Sequence, residues 1–299
     1  MTYRTATLAA LLAAMLALPC AAQTRCADVV PGPKPQNASR DFVGQDLEQI
    51  QERGFITIAV YDDFRPFSWL EGETPTGVDV EVGRIIAGAL GVEPRFVMVE
   101  AGENLDADLR YHVWQGDPVD RRVSNVMMHV PYDSDFACRV EQVTFTGQYF
   151  DEQIVMAYHP GDYPEKPPVP AYFRFDPVAV QNDSLSDFYL SGMANGALQP
   201  MIHRYVDPEA QMAALAAGEV KVAMGPRAEL EAYKTGDIVV KGTLLPGLAK
   251  ADWTLGVGVH FSHKPLAYAI DDAIAAALAD GRIAAIFASY GLTFEPPVR

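Results

Sequence analysis

Between Arg121 and Arg139 the chain reads RRVSNVMMHVPYDSDFACR, placing an imidazole (His129), a phenol (Tyr132), two carboxylates (Asp133, Asp135) and a guanidinium (Arg139) within a few residues of one another. Groups of this mix hydrogen-bond polar molecules, and an imidazole beside a carboxylate can also exchange a proton near neutral pH. No nucleophile, base and orienting group stand in a recognisable pattern, so recognition is the simpler reading and catalysis the harder one. The element that must position these groups is the run Val123, Val126, Met127, Met128, Val130, closed by Pro131. A short apolar run of this kind suits a strand buried on both faces in a parallel sheet. In open α/β sheets ligands collect beyond the carboxyl ends of strands, which is where the polar groups fall.

The flanking sequence alternates helix and strand. Asp46 to Arg53 reads as a short helix stopped by Gly54, and FITIAVY (Phe55 to Tyr61) as a β-branched strand that ends in the loop Asp62 to Phe67. After Gly77, the positions Val82, Ile85, Ile86, Ala89 and Leu90 form one face of a helix, and Pro94 to Val99 a second strand. Ala101 to Gly116 holds another helix, with Leu105, Leu109, His112 or Val113, and Trp114 as its apolar positions. Phe145 to Tyr158 is a long extended stretch, followed by an irregular proline-rich connection from Pro160 to Pro170. A second alternating block then runs through a strand at Pro177 to Gln181 and a capping box at Ser184 to Asp187. The helix that box opens is expected to bury Leu185, Phe188 and Tyr189. A helix at Gln211 to Ala217, a strand at Val220 to Met224, a helix at Glu229 to Tyr233, the extended Trp253 to Phe261 and two apolar helices complete the chain. Such alternation predicts an α/β fold with mostly parallel sheets.

With 299 residues there is room for one large or two modest domains. A net charge of −16 argues against nucleic acid or an anionic membrane as partner, since both repel it. The first residues read as a targeting segment: Arg4, the apolar Leu8 to Leu18, then Cys20-Ala21-Ala22 before a cut. A lipidated Cys20 is the competing reading. Cleavage near Ala22 leaves an exported, periplasmic chain with an extended tail to Arg40, in which Cys26 and Cys138 form an even pair suited to a disulfide. Glu100, Glu103, Asp106 and Asp108 match no cation-binding loop, and acidic residues at a helix start already suit its dipole. His112 and His129 make no zinc pattern with either cysteine, so neither a metal nor a cofactor is expected.

The order of these elements resembles the periplasmic solute-binding proteins of the polar amino acid type, the extracellular solute-binding family 3. The likeness runs from about Asp46 to Leu292. It is carried by Phe64-Arg65-Pro66-Phe67 after the first strand, by Gly77-Val78-Asp79-Val80-Glu81 at a helix start and by Asp280-Gly281 between the last two helices. The resemblance implies a two-lobed, type II binding-protein fold. One lobe would take residues 41–149 with 255–299 and the other 150–254, with hinge crossings near 150 and 253. It also implies a monomeric receptor that captures a small polar solute, amino-acid-like or another organic anion, for an inner-membrane ABC permease.

Carried over residue by residue, the resemblance sets Phe64 where the family stacks an aromatic on its ligand. His129 and Tyr132 fall where it uses small hydroxyl residues, and Asp183 and Ser184 at a helix start whose free amides favour an anion. The family's carboxylate-clamping arginine has its nearest counterpart in Arg139. Its ammonium-binding aspartate falls on Pro226, which cannot replace a carboxylate, so an ordinary α-amino acid is disfavoured unless Asp183 or another acid takes over. Two further functions follow from divergent relatives. One is an accessory partner of periplasmic quinoprotein dehydrogenases, or a binder of a metal chelate. The other is a dehydratase-like enzyme, for which His129 with Asp133 or Glu152 would supply acid and base.

Overall fold

The computed structural model describes residues 45–119, 121–132 and 134–298. The expected signal peptide, the tail to Arg40 and Cys26, and with it the bridge to Cys138, lie outside the described residues. Helix α1 (Leu47–Arg53) starts at Asp46, whose carboxylate accepts the Gln49 N–H at 3.0 Å, and ends at Gly54 in the left-handed region. Strand β1 (Phe55–Tyr61) follows, sending Ile56, Ile58 and Val60 into one apolar cluster and Ala59 and Tyr61 into another. That alternation is what a sheet covered on both faces demands.

β1 is flanked by β5 (Glu93–Val99) and β6 (Val126–Tyr132), both parallel to it. β12 (Asp252–His260) runs antiparallel to β6 and to β7 (Val143–Tyr158), so β5, β1, β6 and β7 point the same way. β7 is long because it serves two sheets. Its residues 143–153 pair with β12, and Ile154 to Tyr158 pair with β10 (Val222–Pro226). β8 (Val178–Gln181) lies parallel to β10 and β9 (Ile202–Tyr205) parallel to β8, while β11 (Val239–Lys241) adds to β7. The result is a two-lobed α/β fold, each lobe built on a mostly parallel sheet, with β7 and β12 crossing side by side between them. Where β7 changes partner, the Ile154 N–H donates to the Ala251 carbonyl at 2.7 Å.

Helices cover both faces of each sheet. In the first lobe α2 (Val78–Leu90), α8 (Lys264–Ala279) and α9 (Arg282–Ser289) bury Val82, Ile86, Ile270, Ile274 and Phe287 on one side. On the other side α3 (Leu105–Leu109) continues into a wider π-helical turn, Arg110–Trp114, whose Val113 and Trp114 pack with Met127 and Val130. In the second lobe α5 (Leu185–Gly192) contributes Leu190 to one apolar cluster, and α6 (Pro208–Ala216) contributes Met212 and Leu215 to the other.

Several expectations need correction. β6 begins at Val126 rather than Val123, carries Pro131 within it, and has one parallel and one antiparallel neighbour, because β12 returns through the middle of the sheet. A short helix α4 (Ser134–Arg139), not read from the sequence, follows it. On α2 the buried face includes Gly83 and Ala87 while Ala89 is exposed. On α5 Leu185 and Phe188 are exposed, and the face turned inward carries Ser186, Asp187 and Leu190. Strands β2 (Asp63–Phe64), β3 (Ser68–Glu71) and β4 (Thr74–Thr76) form a small antiparallel sheet, the first of them inside the stretch read as a loop and the other two not read from the sequence.

Candidate functional site

The carboxyl ends of β1 and β6 meet at a cavity of about 300 Å³. Its walls come from Tyr61, Asp62, Asp63 and Phe64 at the end of β1, from Asn104, Leu105 and Asp108 at the start of α3, and from His129 and Pro131 on β6. All of these belong to the first lobe. The size and the mix of aromatic and polar walls suit a small ligand.

His129 is held in place from beneath. Its backbone is left-handed (φ 60°), and its Nδ1 lies 3.0 Å from Oδ2 of Asp79. Asp79 is fully buried, and its other oxygen accepts the Tyr149 hydroxyl at 2.6 Å. The carboxylate sits in the first turn of α2, where the helix dipole favours a negative charge. Gly77 sets that turn: its φ is 124°, and a Cβ there would come within 2.2 Å of the Phe67 carbonyl, so only glycine lets the chain pass. The buried carboxylate takes an Nδ1–H from the imidazole, and Nε2 has no partner among the described residues. Burial and Asp79 push the Tyr149 phenol well above its usual range, so it stays a donor.

Aromatic rings frame the imidazole. Phe64 and Phe67 meet it edge to face, with ring centres 4.7 and 4.3 Å from it, and stack on each other at 5.5 Å. Across the cavity Tyr61 donates to Oδ2 of Asp108 at 2.7 Å, and Oδ1 of Asp108 accepts the Gly102 N–H at 2.7 Å. Burial, reinforced by that bond, raises the Tyr61 phenol far above its usual range. Asp62 and Asp63 carry no side-chain hydrogen bond or ion pair among the described residues. None of the lining residues is a lysine or an arginine.

The expected site residues divide. Phe64 and His129 line the cavity. Tyr132, half-buried at the end of β6 opposite Thr254, does not, and neither does Arg139. Arg139 is exposed in the last turn of α4, its guanidinium 5.8 Å from the Phe136 ring. The intervening helix carries it away from the strand end. Asp183 and Ser184 stand in the second lobe at the start of α5. There the Ser184 hydroxyl accepts the Asp187 N–H at 3.2 Å, and the Asp187 carboxylate accepts the Asp183 N–H at 3.2 Å while holding Arg204 at 2.9 Å. The box is therefore half of what was expected, and the helix start already carries its own anion. Glu152 is buried where the lobes cross and accepts the Gln153, Arg227 and Ala228 amides at 2.8, 2.9 and 3.2 Å, so it makes no acid–base pair at the cavity. Of the acidic group weighed for a cation, Asp108 is buried and occupied by Tyr61 and Gly102. Asp79, Tyr149, Asp62 and Asp63 were not read as site residues. The pair of acids directly after a strand was the available signal.

Neither a protein-family model nor a curated protein sequence matches the chain. Solved structures do. An ancestral cationic amino acid solute-binding protein superposes with a TM-score of 0.66 at 16% identity, over 82% of this chain and 99% of that one. An arginine-bound amino acid ABC transporter substrate-binding protein from Streptococcus pneumoniae gives 0.57 at 17%, over 84% and 100%. The L-cysteine solute receptor of Neisseria gonorrhoeae gives 0.55 at 19%, over 82% and 93%. At these identities the likeness shows the fold, and the fold is that of the two-lobed solute-binding proteins.

Proposed function

We propose that this chain is a receptor that captures a small polar solute between its two lobes. The observation that carries the reading is the cavity at the carboxyl ends of β1 and β6, with Phe64 as its aromatic wall and His129 held over it by Asp79. Three features support it: the position at strand ends where this class of sheet binds ligands, the pre-set imidazole, and a fold shared with amino acid receptors. In this reading the protein is exported to the periplasm and hands its solute to an inner-membrane ABC permease. Residues 41–149 with 255–299 move against residues 150–254 by bending where β7 and β12 cross, and the face at Asp183 and Ser184 closes over the guest. Arg139 has no part in it. A receptor is preferred to an enzyme because Glu152, one of the two acids weighed as partners of His129, is committed to the backbone amides of Gln153, Arg227 and Ala228; the other, Asp133, lies outside the described residues.

The test is a thermal-shift and calorimetric screen of the purified mature protein against polar metabolites of both charges. At least one is expected to raise the melting temperature, and a His129→Ala variant to lose that shift. A screen in which no metabolite stabilises the protein removes the reading.

A further inference from the structure

We infer that the guest of this cavity is an organic cation, an amine or a guanidine, that needs no carboxylate of its own. The inference rests on the receptor reading above and names its ligand class. Carboxylates dominate the polar side chains of the walls, beside the Asn104 amide, whose Oδ1 accepts the Ala107 N–H and whose N–H groups remain as donors. Asp62 and Asp63 present carboxylates with no side-chain hydrogen bond or ion pair among the described residues, while both oxygens of Asp108 are taken by Tyr61 and Gly102. His129 spends its Nδ1–H on Asp79, and the Tyr61 hydroxyl is spent on Asp108. A wall rich in carboxylates is matched by a ligand made of donors. An ammonium brings three and a guanidinium five, with no acceptor to clash.

The aromatic groups point the same way. Phe64 and Tyr61 stand 5.9 Å apart and edge-on to each other beside the two free carboxylates, and a cation within about 6 Å of such a ring face gains from its quadrupole. An anion would meet carboxylates and π faces with no lysine or arginine among the lining residues, and Arg139 is exposed on α4 instead. An inorganic cation is less suited. Among the described residues no three His, Cys, Asp or Glu side chains converge on one point, whereas a hard ion takes six to eight oxygens. The absence of a positive group on the lining is also the absence of a clamp for an α-carboxylate. That is what separates this site from one built for amino acids.

The experiment is calorimetric titration of the mature protein with agmatine, a guanidine and amine without a carboxylate, with arginine, and with succinate. Agmatine is expected to bind at least as tightly as arginine, and succinate not at all. An Asp62→Asn/Asp63→Asn double variant with an unchanged circular dichroism spectrum should bind agmatine at least tenfold more weakly. If that variant does not fold, the single Asp62→Asn variant and a loss of affinity between low and high salt replace it. Binding of succinate but not agmatine, binding of arginine but not agmatine, or agmatine binding untouched by the substitutions and by salt each overturns the cation assignment and leaves the receptor standing. Only the failure of every solute, in this titration and in the broader screen, removes the receptor as well.

Discussion

His129 shows how a site residue depends on partners far along the chain. Its imidazole is held by Asp79, and Asp79 in turn by the Tyr149 hydroxyl, with Asp79 and Tyr149 both closed to water. A buried carboxylate with both oxygens bonded is tolerated; the same donors without it are not. Replacing Asp79 by Ala leaves the Tyr149 O–H and the His129 Nδ1–H unpaired and is expected to cost about 3 kcal/mol in urea denaturation. Tyr149→Phe, which removes one donor and keeps the ring, is expected to cost about 1 kcal/mol. Equal, small losses for both would show that the carboxylate does not organise this corner. The imidazole was legible in the sequence because it ends an apolar run. Its anchor was not, because pairing between residues so far apart in the chain is decided by packing of α2 onto the sheet. Arg139 was read as lying beside the strand end, while Ser134 to Arg139 fold into a helix that leaves the guanidinium exposed.

At the scale of elements, the strands were readable and the rotation of short helices was not. β1 spans the predicted residues, and β7 and β12 lie close to theirs, since runs buried on two faces announce themselves. The eight residues of α5 are too few turns for periodicity to choose a face. The choice is made by Arg204 on β9, a strand not read from sequence, which pairs with Asp187 and draws that side of the helix inward. Phe188→Ser should therefore change stability by less than about 0.5 kcal/mol, whereas Leu190→Ala should cost about 3 kcal/mol. The reverse order in thermal denaturation would mean that the helix is turned as the sequence suggested. Helix α7 (Arg227–Ala232) carries a pH-dependent element. Burial, with Glu152 nearby, pushes the Glu229 carboxyl up to about 8, and burial raises Glu152 to about 7 against three backbone amides and Arg227. An acid with a raised folded-state pKa favours the fold while protonated. Its contribution is complete below the unfolded value of 4.5 and is lost as pH rises through about 8. Glu229→Gln should accordingly be more stable than the parent at pH 8.5, by about 2 kcal/mol, with the advantage gone near pH 5. An advantage that grows as pH falls would reverse the assignment.

For the whole molecule, the two crossing strands are joined by a third tie that no sequence pattern announced. After α9 the chain leaves the first lobe and reaches α7 of the second, where Glu231 accepts the Thr293 N–H at 2.7 Å and the Thr293 hydroxyl at 2.8 Å. The Glu295 carbonyl accepts the Asp151 N–H at 3.0 Å, and Phe294 packs 5.3 Å from Phe287 and 6.4 Å from Phe150, at the place where β7 passes between lobes. Ala228 of α7 is itself buried in the first lobe's core. A two-strand crossing bends easily because few dihedrals must change, and a segment bonded to both sides opposes that bending. Removing residues 293–299 takes away these bonds and the Phe294 ring while leaving both sheets whole. In hydrogen–deuterium exchange, peptides covering Arg227 to Ala232 and Asp151 should then exchange faster, and peptides from β1 and β8 should keep their protection. The same truncation should weaken solute binding if the tie holds the lobes near their closed spacing, because more of the binding energy is then spent on closure. Unchanged exchange in α7 would leave β7 and β12 as the whole of the connection that matters.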